Sequence, residues 1–219
     1  LTLWTAPVLG GSPRHLGELA AVSAAWSPEG ERLVYGKENE LDIARSDGTE
    51  ARKLAALSGT PNYLRWSPDG KSIRFTLKRE SNSKSVNGMW DGYSLWEISA
   101  DGSHLHALFP NWREPQFFGN WTRDGKYFVF GVETKGIDTI WAIRERVGFL
   151  QKRSGEPFQL TAGPMSTDWV IPSADGKRLF VDERQPRSDI VRYDSKSNEF
   201  LPFLSGTSAE GLNFSRDGK

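Results

Sequence analysis

The chain has 219 residues, with 28 Lys+Arg against 28 Asp+Glu, and is 37% hydrophobic and 26% charged. That composition is globular, and a formal net charge of zero lacks the basic footprint of a nucleic-acid binder. No apolar run approaches the ~18 residues of a membrane helix, and the absence of Cys excludes disulfides, thiolate zinc sites and cysteine nucleophiles.

Taken in chain order, Leu1-Thr-Leu-Trp-Thr5 and Pro13-Arg-His-Leu16 predict two short strands. A distinctive unit follows: Trp26-Ser-Pro-Glu-Gly-Glu-Arg-Leu-Val-Tyr35. It returns as Trp66-Ser-Pro-Asp-Gly-Lys-Ser-Ile-Arg-Phe75, Trp121-Thr-Arg-Asp-Gly-Lys-Tyr-Phe-Val-Phe130 and Pro172-Ser-Ala-Asp-Gly-Lys-Arg-Leu-Phe-Val181. A fifth copy, Phe214-Ser-Arg-Asp-Gly-Lys219, stops where its second strand should begin. The turn glycines Gly30, Gly70, Gly125, Gly176 and Gly218 lie 40, 55, 51 and 42 residues apart. Such periods suit a four-stranded propeller blade, with insertions in two repeats.

Each unit has a mechanical sense. An aromatic residue ends one strand, Pro68 presets φ, Asp69 bonds its own backbone, and Gly70 closes the turn. The next strand, Lys126-Tyr-Phe-Val-Phe130, is apolar on both faces, as sheets stacked face to face require. A second hairpin then follows each first one. Its inner strands are Leu41–Arg45, Ser94–Ile98, Thr139–Ile143 and Asp189–Tyr193; its outer strands are Arg52–Leu54, His104–Leu108, Pro157–Thr161 and Phe200–Leu204. Pro202 fits only an edge strand. No stretch has a sustained helical apolar period. The expectation is an all-β propeller with blades at about 22–58, 60–110, 116–163 and 167–205, and half blades at 1–19 and 206–219. The opening residues carry no initiator Met or signal-peptide pattern and the closing ones stop in mid-motif, so a segment of a larger ring is expected.

Trp-Ser-Pro-Asp-Gly-Lys with its strand, then Leu-Trp-x-Ile-x-x-Asp-Gly, resembles the WD-repeat-like propeller repeat of TolB-type proteins over essentially the whole chain. The WD dipeptide and structural His of eukaryotic WD repeats are absent. The stretches Gly119–Phe130, Ile140–Glu145 and Leu204–Ser215 are also similar to bacterial propellers carried behind a winged-helix or Ser/Thr kinase domain and a membrane anchor. That resemblance implies a non-enzymatic sensory or protein-interaction segment on the extracytoplasmic (periplasmic) side of an inner membrane. It would bind a protein or a small envelope ligand, without catalytic residues, cofactor, nucleic acid or membrane contact of its own. Two alternatives stay open. One is a propeller gating a prolyl-oligopeptidase-like serine peptidase encoded outside the chain; the other is a periplasmic TolB-like translocation component.

Asp69, Asp124, Asp175 and Asp217 recur with Gly and are expected to form turns. A sialidase-type Asp box is not met, because Gly directly follows Asp and no Thr-Trp comes after. His104 and His106 would share one face of an edge strand, with no third zinc ligand at a recognisable spacing. No Gly-x-Ser-x-Gly elbow is present, and Gly70-Lys71-Ser72 lacks the earlier glycine of a phosphate loop, since position 65 is Arg65. The sequons at Asn120 and Asn213 fall in the repeated aromatic strand, where a glycan has no room. Arg144, Arg146, Lys152 and Arg153, balanced by Glu145 and Glu156, are expected on a solvated face. Trp26, Trp66 and Trp121 share one repeat position and are expected between blades, where Trp121→Ala would cost about 3–5 kcal/mol. Trp90, Tyr93, Trp112 and Trp169 fall outside that column and are the candidate ligand-facing residues, the first two in the polar insertion Lys78–Tyr93.

Overall fold

The repeated turns are local devices, and in the computed structural model those at Asp69, Asp124 and Asp175 are built the same way. It describes residues 1–79, 92–145, 155–163, 165–184, 189–204 and 215. The Ser67 hydroxyl donates to Asp69 Oδ1 at 2.7 Å, and the Lys71 N–H donates to the same oxygen at 3.1 Å. Thr122 and Lys126 do the same for Asp124 (2.7 and 3.1 Å), as do Ser173 and Lys177 for Asp175 (2.5 and 3.0 Å). Gly70, Gly125 and Gly176 take φ of 69°, 69° and 68°, the left-handed region that a side chain resists. Asp69, Asp124 and Asp175 are therefore turn formers, as their position in the repeat implied, while Asp217 lies outside the described residues.

Around these turns the regular elements among the described residues are all strands. In the first compact unit, Leu1–Glu183, β1 (Thr2–Thr5) pairs with β2 (Arg14–Ala20). Three four-stranded antiparallel sheets follow. One holds β3 (Ser23–Trp26), β4 (Arg32–Lys37), β5 (Glu40–Arg45) and β6 (Arg52–Ala56) in that order. The next holds β7 (Gly59–Trp66), β8 (Ser72–Arg79), β9 (Tyr93–Ser99) and β10 (His106–Ala107). The third holds β11 (Gln116–Trp121), β12 (Tyr127–Thr134), β13 (Ile137–Arg144) and β14 (Phe158–Gln159). The stretch expected to be a fourth blade contains two two-stranded sheets. One is β15 (Ser166–Pro172) with β16 (Leu179–Arg184). The other lies in the second compact unit, Arg184–Lys219, where β17 (Ile190–Asp194) pairs with β18 (Glu199–Leu204), which contains Pro202. The trailing half blade lies outside the described residues apart from Ser215.

Strict alternation divides each central strand between two neighbours. On β12, Phe128, Phe130 and Val132 join a cluster with Leu95 of the preceding sheet, while Val129 joins Val170 of the following β15. Phe130 on one face is 0% exposed and Val129 on the other 2%, so this strand is buried on both faces as its sequence implied. Trp66 is buried between sheets and donates its indole N–H to the Ala25 carbonyl at 3.0 Å. Trp26 departs from that column and stays 44% exposed. Its neighbour is the two-stranded β1–β2 sheet, and a groove of about 330 Å³ lined by Leu3, Trp4 and Leu16 remains beside it.

Asp turns also set a pH response. The Thr122 hydroxyl and Lys126 N–H hold the Asp124 carboxyl below its ordinary value, and the Ser173 hydroxyl and Lys177 N–H do so for Asp175. Thr49 and Ser103 act likewise on Asp47 and Asp101. A carboxyl depressed in the folded state stabilises fully above its unfolded value of about 3.9, and that contribution is lost as pH falls through the folded value. The urea midpoint should therefore be flat from about pH 7 to 5 and fall below about pH 4. Asp124→Asn with Asp175→Asn should shallow that acid-side fall; an unchanged slope would remove these turns as its cause.

Candidate functional site

The first strands of successive sheets, β3, β7, β11 and β15, are neighbours in that order. Three of them carry an aromatic residue three positions before the strand's last residue: Tyr63 before Trp66, Phe118 before Trp121, and Trp169 before Pro172. All three have positive φ, at 54°, 52° and 50°. A bulky side chain in that region is a genuine outlier, costing on the order of 1–3 kcal/mol each. In β7 and β11 the pairing register slips around the residue, between Asn62 and Arg65 and between Phe117 and Asn120. Such bulges re-aim a side chain out of the regular alternation.

Re-aimed in this way, the three rings meet. Phe118 stacks on Trp169 with centroids 4.2 Å apart and planes at 24°. Tyr63 stands edge-on to Phe118 at 4.2 Å and to Trp169 at 5.7 Å. Phe118 is 4% exposed and forms the base, whereas Trp169 is 48% exposed. Tyr93 packs on the Phe117–Phe118 pair from β9, with the Lys78 ammonium 5.5 Å from its ring centroid. Burial pushes the Tyr63 hydroxyl up, and neighbouring Tyr93 adds to the effect.

A polar row accompanies the aromatic one. Arg65 Nε donates to Asn120 Oδ1 at 2.6 Å, and Asn120 Nδ2 donates to the Val170 carbonyl at 2.9 Å. The Asn120 side chain is thus consumed inside the fold, consistent with reading its sequon as an accident; Asn213 lies outside the described residues. Burial pulls the Arg65 guanidinium below its ordinary value.

The four candidate aromatics therefore separate. Trp169 belongs to the re-aimed aromatic row, Tyr93 packs against it from β9, and Trp90 lies outside the described residues. Trp112 is instead packing material, edge-on to Phe130 at 5.9 Å and to Trp141 at 4.9 Å beside the Phe128 cluster. Tyr63 and Phe118 carry no sequence assignment, although the aromatic three places before the repeat Trp is a visible signal, and Arg65 and Asn120 enter the sequence reading only as a missing phosphate-loop glycine and a sequon. The histidines also differ from expectation. His104 has φ of 56° and precedes β10, its Nδ1 bonded to the Ser103 hydroxyl at 2.7 Å, so it does not share a strand face with His106.

A second polar cluster lies between the sheets ending in β10 and β14. Arg74 Nε donates to Glu97 Oε2 at 2.6 Å, and Nη1 and Nη2 take both oxygens of Glu145, the latter at 3.2 Å. Its guanidinium lies 4.7 Å from the Trp121 centroid and 4.4 Å from that of Phe128. Glu145 was expected on a solvated face; its side chain is 16% exposed because it reaches across to this buried cation. The groove beside it, about 730 Å³, is lined by the Asp69 and Asp124 turns, His106 and Arg123.

Repeated antiparallel sheets with adjacent first strands define a β-propeller of TolB-like and WD-repeat-like units. No family model matches the chain. Among solved structures it is similar to TolB from Acinetobacter baumannii, with TM-score 0.64 and 21% identity over 99% of this chain and 52% of that one. It is also similar to a prolyl endopeptidase, with TM-score 0.58 and 16% identity over 94% of this chain and 33% of the other. Among curated sequences, the uncharacterized peptidase YuxL of Bacillus subtilis is 38% identical over 74 residues, 31% of this chain. The chain thus spans about half the length of the TolB structure, and the match covers 11% of YuxL.

Proposed function

We propose that this chain is a non-enzymatic binding module that engages a protein or small envelope ligand through the aromatic row of its first strands. The observation that carries the reading is the set of three aromatic residues on strained backbone at equivalent positions of β7, β11 and β15. Backbone strain of this kind persists only where surrounding structure enforces it, and it concentrates at ligand sites. A rigid ring such as Trp169, half-exposed on its buried Phe118 base, supplies contact area at low entropic cost. The wider setting we infer is a sensor or scaffold segment of a larger bacterial protein facing the periplasm, in line with the repeat's resemblance to TolB-type chains.

Phage-displayed peptides selected on the unsubstituted chain provide the test. Binders should be recovered, and Trp169→Ala should weaken them at least about tenfold while leaving the melting temperature within a few degrees. Binders indifferent to Trp169→Ala and Tyr63→Ala would overturn the site. A second reading, a propeller accompanying a serine peptidase, draws on the similarity to YuxL and to a prolyl endopeptidase. Sequencing the gene on both sides of this segment separates the two. A Gly-x-Ser-x-Gly segment downstream would favour the peptidase, and a winged-helix or kinase domain with a membrane span upstream would favour the sensor. A signal peptide alone upstream would favour a TolB-like translocation component.

A further inference from the structure

Arg65 is a half-buried cation with no ion-pair partner among the described residues. Its guanidinium spends Nε on Asn120 Oδ1 and one Nη1 proton on the Leu64 carbonyl at 2.9 Å. The remaining Nη1 proton and both Nη2 protons have no acceptor among the described residues. The contrast with Arg74 is direct, since that cation is met by two carboxylates. Desolvating a charge without a counter-charge is costly, so an anion arriving from outside would find at Arg65 a cation that the described residues leave without an ion pair.

Its setting also limits what that partner is. Asn120 fixes Nε from one side and is itself tied to the Val170 carbonyl at 2.9 Å, so the guanidinium fork is held with little rotamer freedom. The same chain of bonds ends at the backbone of Val170, the residue that follows Trp169, whose ring is 48% exposed and stacked on Phe118. Arg65 is the one cation in that chain of bonds, which suits a monoanion matched by a planar fork better than a phosphate dianion.

We infer that Arg65 and Asn120 form a carboxylate-recognition site coupled to the aromatic row, so that the preferred ligand carries a carboxylate next to an aromatic group. The inference rests on the aromatic row being a binding surface. Its acceptor is an acidic side chain or a C-terminal carboxylate of a peptide, with the adjoining ring placed against Trp169.

N-acetyl-phenylalanine serves as the probe, with N-acetyl-phenylalaninamide as its neutral counterpart and phenyl phosphate as the dianion. Binding is followed by ¹H–¹⁵N spectra of the arginine Nε–H and tryptophan indole signals. The acid should bind the unsubstituted chain about tenfold or more tighter than the amide, and should move the Nε–H signal that Arg65→Gln removes. Arg65→Gln should erase the difference between acid and amide, whereas Trp169→Ala should weaken both. Equal binding of acid and amide would overturn the carboxylate site while leaving the aromatic-row reading in place. Tighter binding of phenyl phosphate than of the acid would overturn the ligand class. Binding of the acid that survives Trp169→Ala unchanged would sink the coupling to the aromatic row. The acid–amide comparison needs no variant, so it decides the matter even if Arg65→Gln fails to fold.

Discussion

Replacing Arg74 by alanine should lower the stability of the chain by about 3–5 kcal/mol, read as the shift in urea midpoint at constant slope. The side chain is 5% exposed, and its partners Glu97 and Glu145 are 21% and 16% exposed. Removing the cation leaves two carboxylates facing each other in a partly dehydrated interface, and that penalty dominates. The loss of the guanidinium from against the Trp121 and Phe128 rings adds to it. Arg74→Met keeps the aliphatic stem but not the charge, so it should recover only part of the loss. Adding Glu97→Gln and Glu145→Gln to Arg74→Met should recover more, because the unpaired charges are then gone. A cost for Arg74→Ala below about 1 kcal/mol would mean that solvent screens the cluster as it does at an ordinary surface pair. Because the three residues come from β8, β9 and the end of the third sheet, the experiment also tests how those two sheets register.

What the sequence disclosed and what it hid divide along the range of the interactions. The Asp69, Asp124 and Asp175 turns were legible because every bond in them closes within five residues. The double-sided burial of β12 was legible because Phe128, Val129 and Phe130 leave no polar face to alternate. Arg74–Glu145 was not legible, since the partners lie 71 residues apart and Glu145 sits in a mixed charge run that suggests solvent. The row of Tyr63, Phe118 and Trp169 was hidden for a different reason. Alternation assigns a face to each residue of a regular strand, and a bulge cancels that assignment. Trp169 drew attention only as an aromatic outside the repeat column, and its partners emerged from geometry. Trp112 stands outside the same column and packs, half-buried, against the Phe128 cluster, so absence from the repeat does not by itself distinguish a ring in the aromatic row from one against the core.

Phe128 offers the sharpest test of how tightly the interior is fitted. It is 0% exposed, stands edge-on to Trp121 at 4.7 Å and lies beneath Arg74. Phe128→Ala should therefore cost about 3–5 kcal/mol through lost burial and the cavity left behind. On the opposing strand, a methyl group at Gly119 would come within 2.0 Å of Phe128 Cζ, and the backbone there is not in the left-handed region. Gly119→Ala alone should thus destabilise by about 1–3 kcal/mol, by overpacking and not by backbone strain. With Phe128 already truncated the obstruction is gone, and the new methyl group occupies part of the cavity. In that background Gly119→Ala should be neutral or stabilising, reversing its sign. A double-mutant cycle from urea titrations of the four chains measures that reversal as a coupling energy of about 1–3 kcal/mol. Additive losses would show that the glycine is required for some reason other than the ring, whereas the predicted reversal would establish that Gly119 and Phe128 are a matched pair. The same steric logic applies to Gly131, whose added methyl group would meet the Phe117 ring at 2.4 Å across the β11–β12 pair. Phe117 adjoins Phe118 at the base of the aromatic row, so at that second site close packing bears on the surface proposed to bind.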